Sequence, residues 1–471
     1  MFEATVSIDL GASYTKVAYR KTCAPAGVRS VDEDAQILMV DGPPEIGRTP
    51  LIPSLAIQAR GNSKPWMLGW EAAVSNPDAS MSVFQNWKSN LFRPQNDKDS
   101  AAAVIVAEHF LGWLKEKLEG AGVNLAKAQT RIAMPAFKTF DDKALVVARC
   151  MELNGWESPL ILKATEPHAN TVGLFSGGRN VVSRTRNDEL LLNYGKMFGH
   201  ANEWVQTARG HTLYGNRRNL VTAMIVDIGA FTTDLAAVTF DVVAPDDLGD
   251  GLERIEEESH ALGVINDLDR SLFTALAAQH GFDWAEVSFH RAETAKRIVY
   301  RGDIYPLPTM SAGLVDLGDS KDRQLVEGHL GKFADTVWQK MSPFIDRENP
   351  SVVYLTGGGA LVPPVITSLA RRLRHRRVRI GNVAQGKVST GTARWRPWPD
   401  TGEGLGRLAA ALGGASVVLQ ATSKPVHSGA RKPVPREPAV IKLNANFMTC
   451  RCPGGNKDCC FCGGRGYYTK Q

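Results

Sequence analysis

The chain opens on a strand pattern. Residues 4–10 (ATVSIDL) form a β-branched run ending in Asp-Leu-Gly, and residues 15–20 (TKVAYR) resume the alternation. Together they predict a hairpin with a tight turn of small residues. The period then changes. Across 103–119 (AVIVAEHFLGWLKEKLE) apolar positions recur at helical spacing and stop at Gly120. Residues 130–134 (TRIAM) read as a strand closed by Pro135, followed by a helix over about 141–154 and a strand over 160–164. Strands that alternate with helices favour a mixed α/β fold.

The same pattern returns later. Residues 224–238 (MIVDIGAFTTDLAAV) again give an apolar strand, Asp-X-Gly, a Thr-rich turn and a second apolar strand. Ile8-Asp9-Leu10-Gly11 and Val226-Asp227-Ile228-Gly229 are counterparts, which implies two related lobes with one such hairpin each. A third turn, in VVYLTGGGALVPPV (352–365), sets Gly357, Gly358 and Gly359 between an apolar strand and a helix that runs from Pro363 towards Arg374. Two stretches break the pattern. Residues 176–222 are polar, basic and irregular, and 424–438 (KPVHSGARKPVPREP) read as an extended linker.

Turns of this kind carry chemistry. A phosphate cradle needs inward backbone N–H groups and no side chain in the way, which selects glycine and small residues. Nearby hydroxyls bond phosphate oxygens, and a strand-end aspartate can hold a water of Mg²⁺, an ion that keeps several of its waters. The helix after Gly359 offers an N-terminus to polar atoms of a nucleotide. One Asp-X-Gly turn is usually just a turn; two of them followed by a strand-Gly-Gly-Gly-helix make a specific constellation.

At these motifs the chain resembles the actin-like ATPase superfamily: actin, the bacterial actins of the MreB and ParM types, and the DnaK heat-shock chaperones. The nearer resemblance is to the DnaK nucleotide-binding domain. It rests on IPSLAIQ with WMLGWEAAVSNPDASMSVFQNWKSNLF (52–92), on RIAMPAFKTFDDKALVVARCMELNGWESPLILKATEPHANTVGLF (131–175), on AETAKRIVY (292–300) and on GLGRLAAALGGASVVL (404–419). It covers roughly residues 4–420 in family order and implies a two-lobed fold of duplicated ribonuclease-H-like lobes. Asp9 and Asp227 match the magnesium-water aspartates. Gly11, Ser13, Tyr14 and Thr15 match the first phosphate turn, and Gly229, Thr232 and Thr233 the second. Lys88 matches a lysine near the γ-phosphate, while Glu166 and Asp234 match the carboxylates that orient the attacking water. Glu293, Lys296 and Arg297 match the adenosine-side helix, and Gly357, Gly358 and Gly359 the adenosine turn.

The resemblance implies ATP or ADP with Mg²⁺ as ligands, and slow hydrolysis that switches the angle between lobes. It is incomplete. Ala12 replaces a hydroxyl residue, Ala230-Phe231 replace Gly-Gly, Leu361 stands where an arginine is common, and Tyr300 where a serine is. A hydrolysing enzyme and a nucleotide binder without hydrolysis both remain open. So do two roles: a DnaK-like switch that couples nucleotide state to a protein partner or client, and a filament-forming, bacterial-actin-like ATPase. The second is favoured by Thr-Gly-Gly-Gly-Ala-Leu at the third motif.

Cysteine use adds a further module. Five of the seven cysteines lie in TCRCPGGNKDCCFCGGRGYY (449–468), away from Cys23 and Cys150. MFEATVSIDL lacks the basic and apolar regions of a signal peptide, so a cytoplasmic, reducing location is expected, where clustered cysteines favour metal over disulfides. Cys450, Cys452, Cys459 and Cys462 form two chelating pairs suited to one Zn²⁺, with Cys460 spare. The second pair resembles half of the DnaJ co-chaperone zinc module, Cys-x-x-Cys-x-Gly-x-Gly, and implies protein recognition. The expected domains are 1–173 (first lobe), 174–421 (second lobe, with the basic insert 176–222), 422–446 (linker) and 447–471 (zinc-binding tail).

Charge excludes little. The net formal charge of +6 over 471 residues is too modest to imply nucleic-acid binding. The basic insert and the run RRLRHRRVR (371–379) are the places for such contact, although arginines ending a helix more often complement its dipole. No apolar run of about 18 residues is present, so no membrane span is expected.

Overall fold

In the computed structural model the chain is a mixed α/β protein with several mixed sheets. The structure describes residues 4–20, 36–44, 47–59, 65–75, 77–78, 80–91, 98–136, 140–156, 160–175, 220–241, 252–261, 264–284, 287, 289–300, 314–376, 378–382, 387–389, 395–397, 410–411, 447–449 and 467–469.

Two sheets carry the site. In the first, Ala4–Asp9 (β1) and Tyr14–Arg20 (β2) form the expected hairpin. Gln36–Ile37 (β3) pairs with β2, while Ala128–Met134 (β4) and Leu160–Thr165 (β5) lie beyond β1. The order is β5-β4-β1-β2-β3, and Ile52–Pro53 also pairs with β2. The second sheet repeats this plan. Leu220–Ile228 (β6) and Thr233–Asp241 (β7) form the second hairpin, Leu252–His260 (β8) pairs with β7, and Val352–Thr356 (β9) and Arg379–Asn382 (β10) continue past β6. The order β8-β7-β6-β9-β10 is then extended by Lys387–Ser389 and Trp395–Pro397. Strand polarity also matches: β4 and β9 run parallel to β1 and β6, and both hairpins continue antiparallel.

Central parallel strands bury both faces, which is why β1 and β9 read as apolar or small with little alternation. Every residue of β1 and of β9 is buried. Each sheet has its own core. Trp87–Leu91 (α1), Lys98–Gly120 (α2) and Phe140–Leu153 (α3) belong to the first, where Phe110, Leu114 and Leu118 share one core with Val6, Ile8 and Ile132. Glu166–Phe175 (α4) follows β5. Ile265–Gln279 (α5), Phe289–Tyr300 (α6), Ser320–Glu348 (α7) and Pro363–His375 (α8) belong to the second, where Leu272, Phe333 and Met341 share one core with Val226 and Leu355. Truncating one such buried aromatic ring to alanine costs about 3–5 kcal/mol.

Several expected boundaries move. α2 starts at Lys98 and β4 at Ala128, because polar end residues join elements that an apolar pattern detects late. β6 starts at Leu220, so the last three residues of the stretch 176–222 belong to the second sheet rather than to an insert. The boundary between 173 and 174 falls inside α4. Residues 176–219 and the linker 422–446 lie outside the described residues.

Near the C-terminal end, Phe447–Thr449 pairs antiparallel with Tyr467–Thr469, with Thr449 opposite Tyr467. Cys450, Cys452, Cys459 and Cys462 fall between these strands, outside the described residues. Cys150 is buried, and its thiol is pushed up to about 11, mainly by burial. Among the described residues no helix is long and apolar enough to cross a membrane.

Candidate functional site

The two Asp-X-Gly turns sit at equivalent places, at the ends of β1 and β6. The first is braced from outside. Ser54 donates its backbone N–H to the Ser13 carbonyl (2.9 Å) and its hydroxyl to the Gly11 carbonyl (2.6 Å). The Thr15 hydroxyl lies 3.0 Å from that of Ser54 and is fully buried, so it holds the turn and does not face the cleft. The second turn is braced by a helix. The first backbone N–H groups of α5, those of Ile265 and Asn266, donate to the carbonyls of Gly229 and Ala230 (3.1 and 3.0 Å).

Beside each turn runs a rung of polar residues. In the first sheet Asp9 stands opposite Lys16, and Lys16 Nζ donates to Asp9 Oδ2 at 2.9 Å. In the second, Ser259, Asp234, Asp227 and Thr356 follow one another across β8, β7, β6 and β9. Both Asp234 oxygens accept: Oδ2 from the Thr232 hydroxyl at 2.9 Å, and Oδ1 from the Ser259 hydroxyl. Asn170 of α4 donates to Asp227 Oδ2 at 2.7 Å, and its own Oδ1 is buried without a protein partner.

Lys88, on α1, is buried and donates to the equally buried Glu166 at the start of α4. Burial lifts Glu166 well above the usual carboxylate range; Lys88 works against this, while Asp234 and Asp9 add to it. Burial also pushes Asp227 up to about 7, opposed by Lys16 and reinforced by Asp9 and Glu166. Asp234 reaches about 7 through burial and the Asp227 charge, opposed by its bonds from Ser259 and Thr232. Four acidic side chains thus crowd two ammonium groups, and a divalent cation would favour their charged forms. Among the described residues no three acidic, cysteine or histidine side chains group as a direct metal site. Carboxylates are the ligand type of Mg²⁺, an ion that keeps several of its waters.

These groups line one open cleft. Asp9, Gly11, Ser13, Tyr14, Lys88, Glu166, Asp227, Gly229, Thr232, Asp234, Gly357 and Gly358 all reach it. Gly358 forms a true gap, since a Cβ added there would meet nothing within 4 Å. Gly357, at φ +80°, and Gly359 have a packing role instead: a Cβ would strike Asp227 at the first and Ile228 at the second. Thr233 is buried within β7 and does not line the cleft. Lys296 of α6 is drawn to Asp269, 2.9 Å away, and the Tyr300 hydroxyl donates to the same carboxylate at 2.6 Å. The side chains of Glu293 and Arg297 lie outside what the structure describes. The helix start after the glycine turn offers fewer donors than expected, because α8 begins with Pro363 and Pro364, which have no N–H.

Lys16, Tyr300, Asn170 and Ser259 were not among the expected site residues. One of them leaves a trace in the sequence: Lys16 follows Asp9 by the same seven positions that separate Asp234 from Asp227. The basic run is partly engaged, since Arg372 and Arg376 pair with Asp335 and Asp346 and lie over the Trp338 ring.

Compared with models of known families and with curated protein sequences, the chain matches none of them.

Proposed function

We propose that the chain is a two-lobed, actin-like nucleotide switch that binds ATP with Mg²⁺ and hydrolyses it slowly. The observation that carries this reading is the meeting of Asp9, Lys16, Lys88, Glu166, Asp227 and Asp234 in one glycine-edged cleft between two sheets of the same strand order. Fold-level likeness alone would not suffice, because function resides in the site.

Asp9 and Asp227 are the carboxylates that would hold the waters of Mg²⁺. The ion's part is to offset phosphate charge and to orient the nucleotide. Lys16 and Lys88 place two ammonium groups beside the same space. Glu166 and Asp234 are the acceptors for a water's protons, and their burial keeps bulk water from competing. Tyr300, Ile265 and Val362 give the cleft an apolar side suited to a base. The two sheets are drawn towards a shared ligand, so loss of a phosphate changes how strongly they are held together.

The tail is proposed as a single-zinc module. The Phe447–Thr449 and Tyr467–Thr469 ribbon brings together the two ends of the cysteine-bearing stretch. Four thiolates leave zinc no open position, so its role is partner recognition, not metal catalysis. Turnover of ATP in the presence of Mg²⁺ tests the reading. Asp9→Ala and Asp234→Ala reduce it to background, whereas unchanged turnover in either variant removes the site assignment.

A further inference from the structure

Ser259 sits on the β8 edge of the second sheet, outside the motifs that mark the cleft. It stands directly opposite Asp234 in the antiparallel pairing of β7 and β8. Its hydroxyl has one proton, which goes to Asp234 Oδ1. Its oxygen also accepts, from the backbone N–H of Ala136 at 2.8 Å. Ala136 lies just past the end of β4, in the first sheet. The result is a directed chain: Ala136 N–H to Ser259 hydroxyl to Asp234 carboxylate. Each donor in such a chain polarises the next, so the last bond is stronger than an isolated one.

A second contact on the same strand has the same direction. Glu257 lies two residues from Ser259 and therefore on the same face of β8. Its carboxylate accepts from the Thr165 hydroxyl, and Thr165 is the residue before Glu166. One face of β8 thus touches the first sheet twice. Each contact bears on one of the two carboxylates proposed to hold the attacking water. Thr232 fixes the other Asp234 oxygen from within the turn, and Ser259 ties that carboxylate across to the first sheet through Ala136.

We propose that Ser259 is a positioning residue, which sets the Asp234 carboxylate for hydrolysis and couples its orientation to the approach of the first sheet through Ala136. This rests on the hydrolytic reading of the cleft. Ser259 touches neither nucleotide nor water in this role. Its loss therefore acts on turnover and leaves nucleotide binding in place, because Lys16, Lys88 and the glycine turns are untouched.

The experiment compares full-length wild type, Ser259→Ala and Ser259→Thr for kcat and KM with MgATP. ATP affinity is measured by calorimetry, and melting curves check the fold. The expected result is a loss of about tenfold in kcat for Ser259→Ala, with KM and affinity within about twofold of wild type. Ser259→Thr, which keeps the hydroxyl, recovers most of the rate and shows that the loss is not a packing defect. Unchanged kcat in Ser259→Ala beside an active wild type overturns the positioning role and leaves the proposed function standing. A fall in kcat that Ser259→Thr does not recover, or one matched by a weaker affinity, also overturns it. Wild type that neither binds nor hydrolyses MgATP overturns the proposed function and this inference together.

Discussion

Lys16 and Asp9 face one another on antiparallel strands, 2.9 Å apart, at the position where the second sheet sets Asp234 against Asp227. The same backbone plan therefore delivers a cation in one sheet and a second carboxylate in the other. In the proposed function, that asymmetry would give the cleft both a charge for a phosphate and an acceptor for a water. Reversing it, in a Lys16→Asp variant, should abolish nucleotide binding by adding a fifth acid to the cleft. Calorimetry with MgATP is the check, and retained affinity would contradict the role given to Lys16.

Gly358 permits a test without structural damage. A Cβ there meets nothing within 4 Å, and the residue lines the cleft. Gly358→Val should leave the melting temperature within a few degrees of wild type, as expected for a substitution that breaks no contact. ATP affinity should fall at least tenfold if the open space is where the nucleotide lies. A variant that folds and binds normally would place the ligand elsewhere.

The Lys88–Glu166 pair is buried on both sides. Removing one partner strands the other charge, so Lys88→Ala should destabilise the fold by about 3–5 kcal/mol. Lys88→Met with Glu166→Gln should recover much of that loss, because no uncompensated ion remains. Denaturant unfolding of the two single variants and the double variant measures the coupling. Additive losses would mean that the pair does not interact.

The acids also set a pH dependence. Asp227 and Asp234 have folded values raised to about 7 from an ordinary 3.8. A raised folded value contributes stability below the unfolded value and loses it as pH climbs through the folded one. Without nucleotide, wild type should therefore lose stability between about pH 4 and 7 relative to Asp227→Asn/Asp234→Asn, and Mg²⁺ with ATP should narrow the gap. Melting curves across that range are the measurement; parallel curves for the two proteins would contradict the burial of these charges.

The zinc proposal has its own readout. Purified wild type should carry about one zinc per chain, released by chelator, and Cys459→Ser/Cys462→Ser should carry none. Metal-free wild type that keeps its partner binding would remove the module.

Much of this site could be read along the chain because its parts are local. Asp9 with Gly11, Asp227 with Gly229, and the three glycines after Thr356 each lie within a few residues, and the hydrophobic period marks the strands that carry them. Contacts that depend on tertiary approach left no such trace. Ser259 reaches Asp234 from a strand 25 residues away, and Asn170 reaches Asp227 from a helix 57 residues away. Lys296 has the reverse history: its spacing points to a nucleotide, yet packing of α6 on α5 turns it to Asp269. Lys16 was legible in principle, through the seven-residue offset that it shares with Asp234, but a lysine beside a turn has no chemical signal until a carboxylate is found opposite.

The most direct test follows phosphate release and ATP binding in the same samples of wild type and Glu166→Gln/Asp234→Asn. Wild type should bind MgATP and release phosphate slowly. The variant should bind comparably and release phosphate at least a hundredfold more slowly, as expected for loss of the water-orienting acceptors. Wild type that fails to bind MgATP, or a variant that turns over as fast as wild type, would contradict the assignment of this cleft to nucleotide hydrolysis.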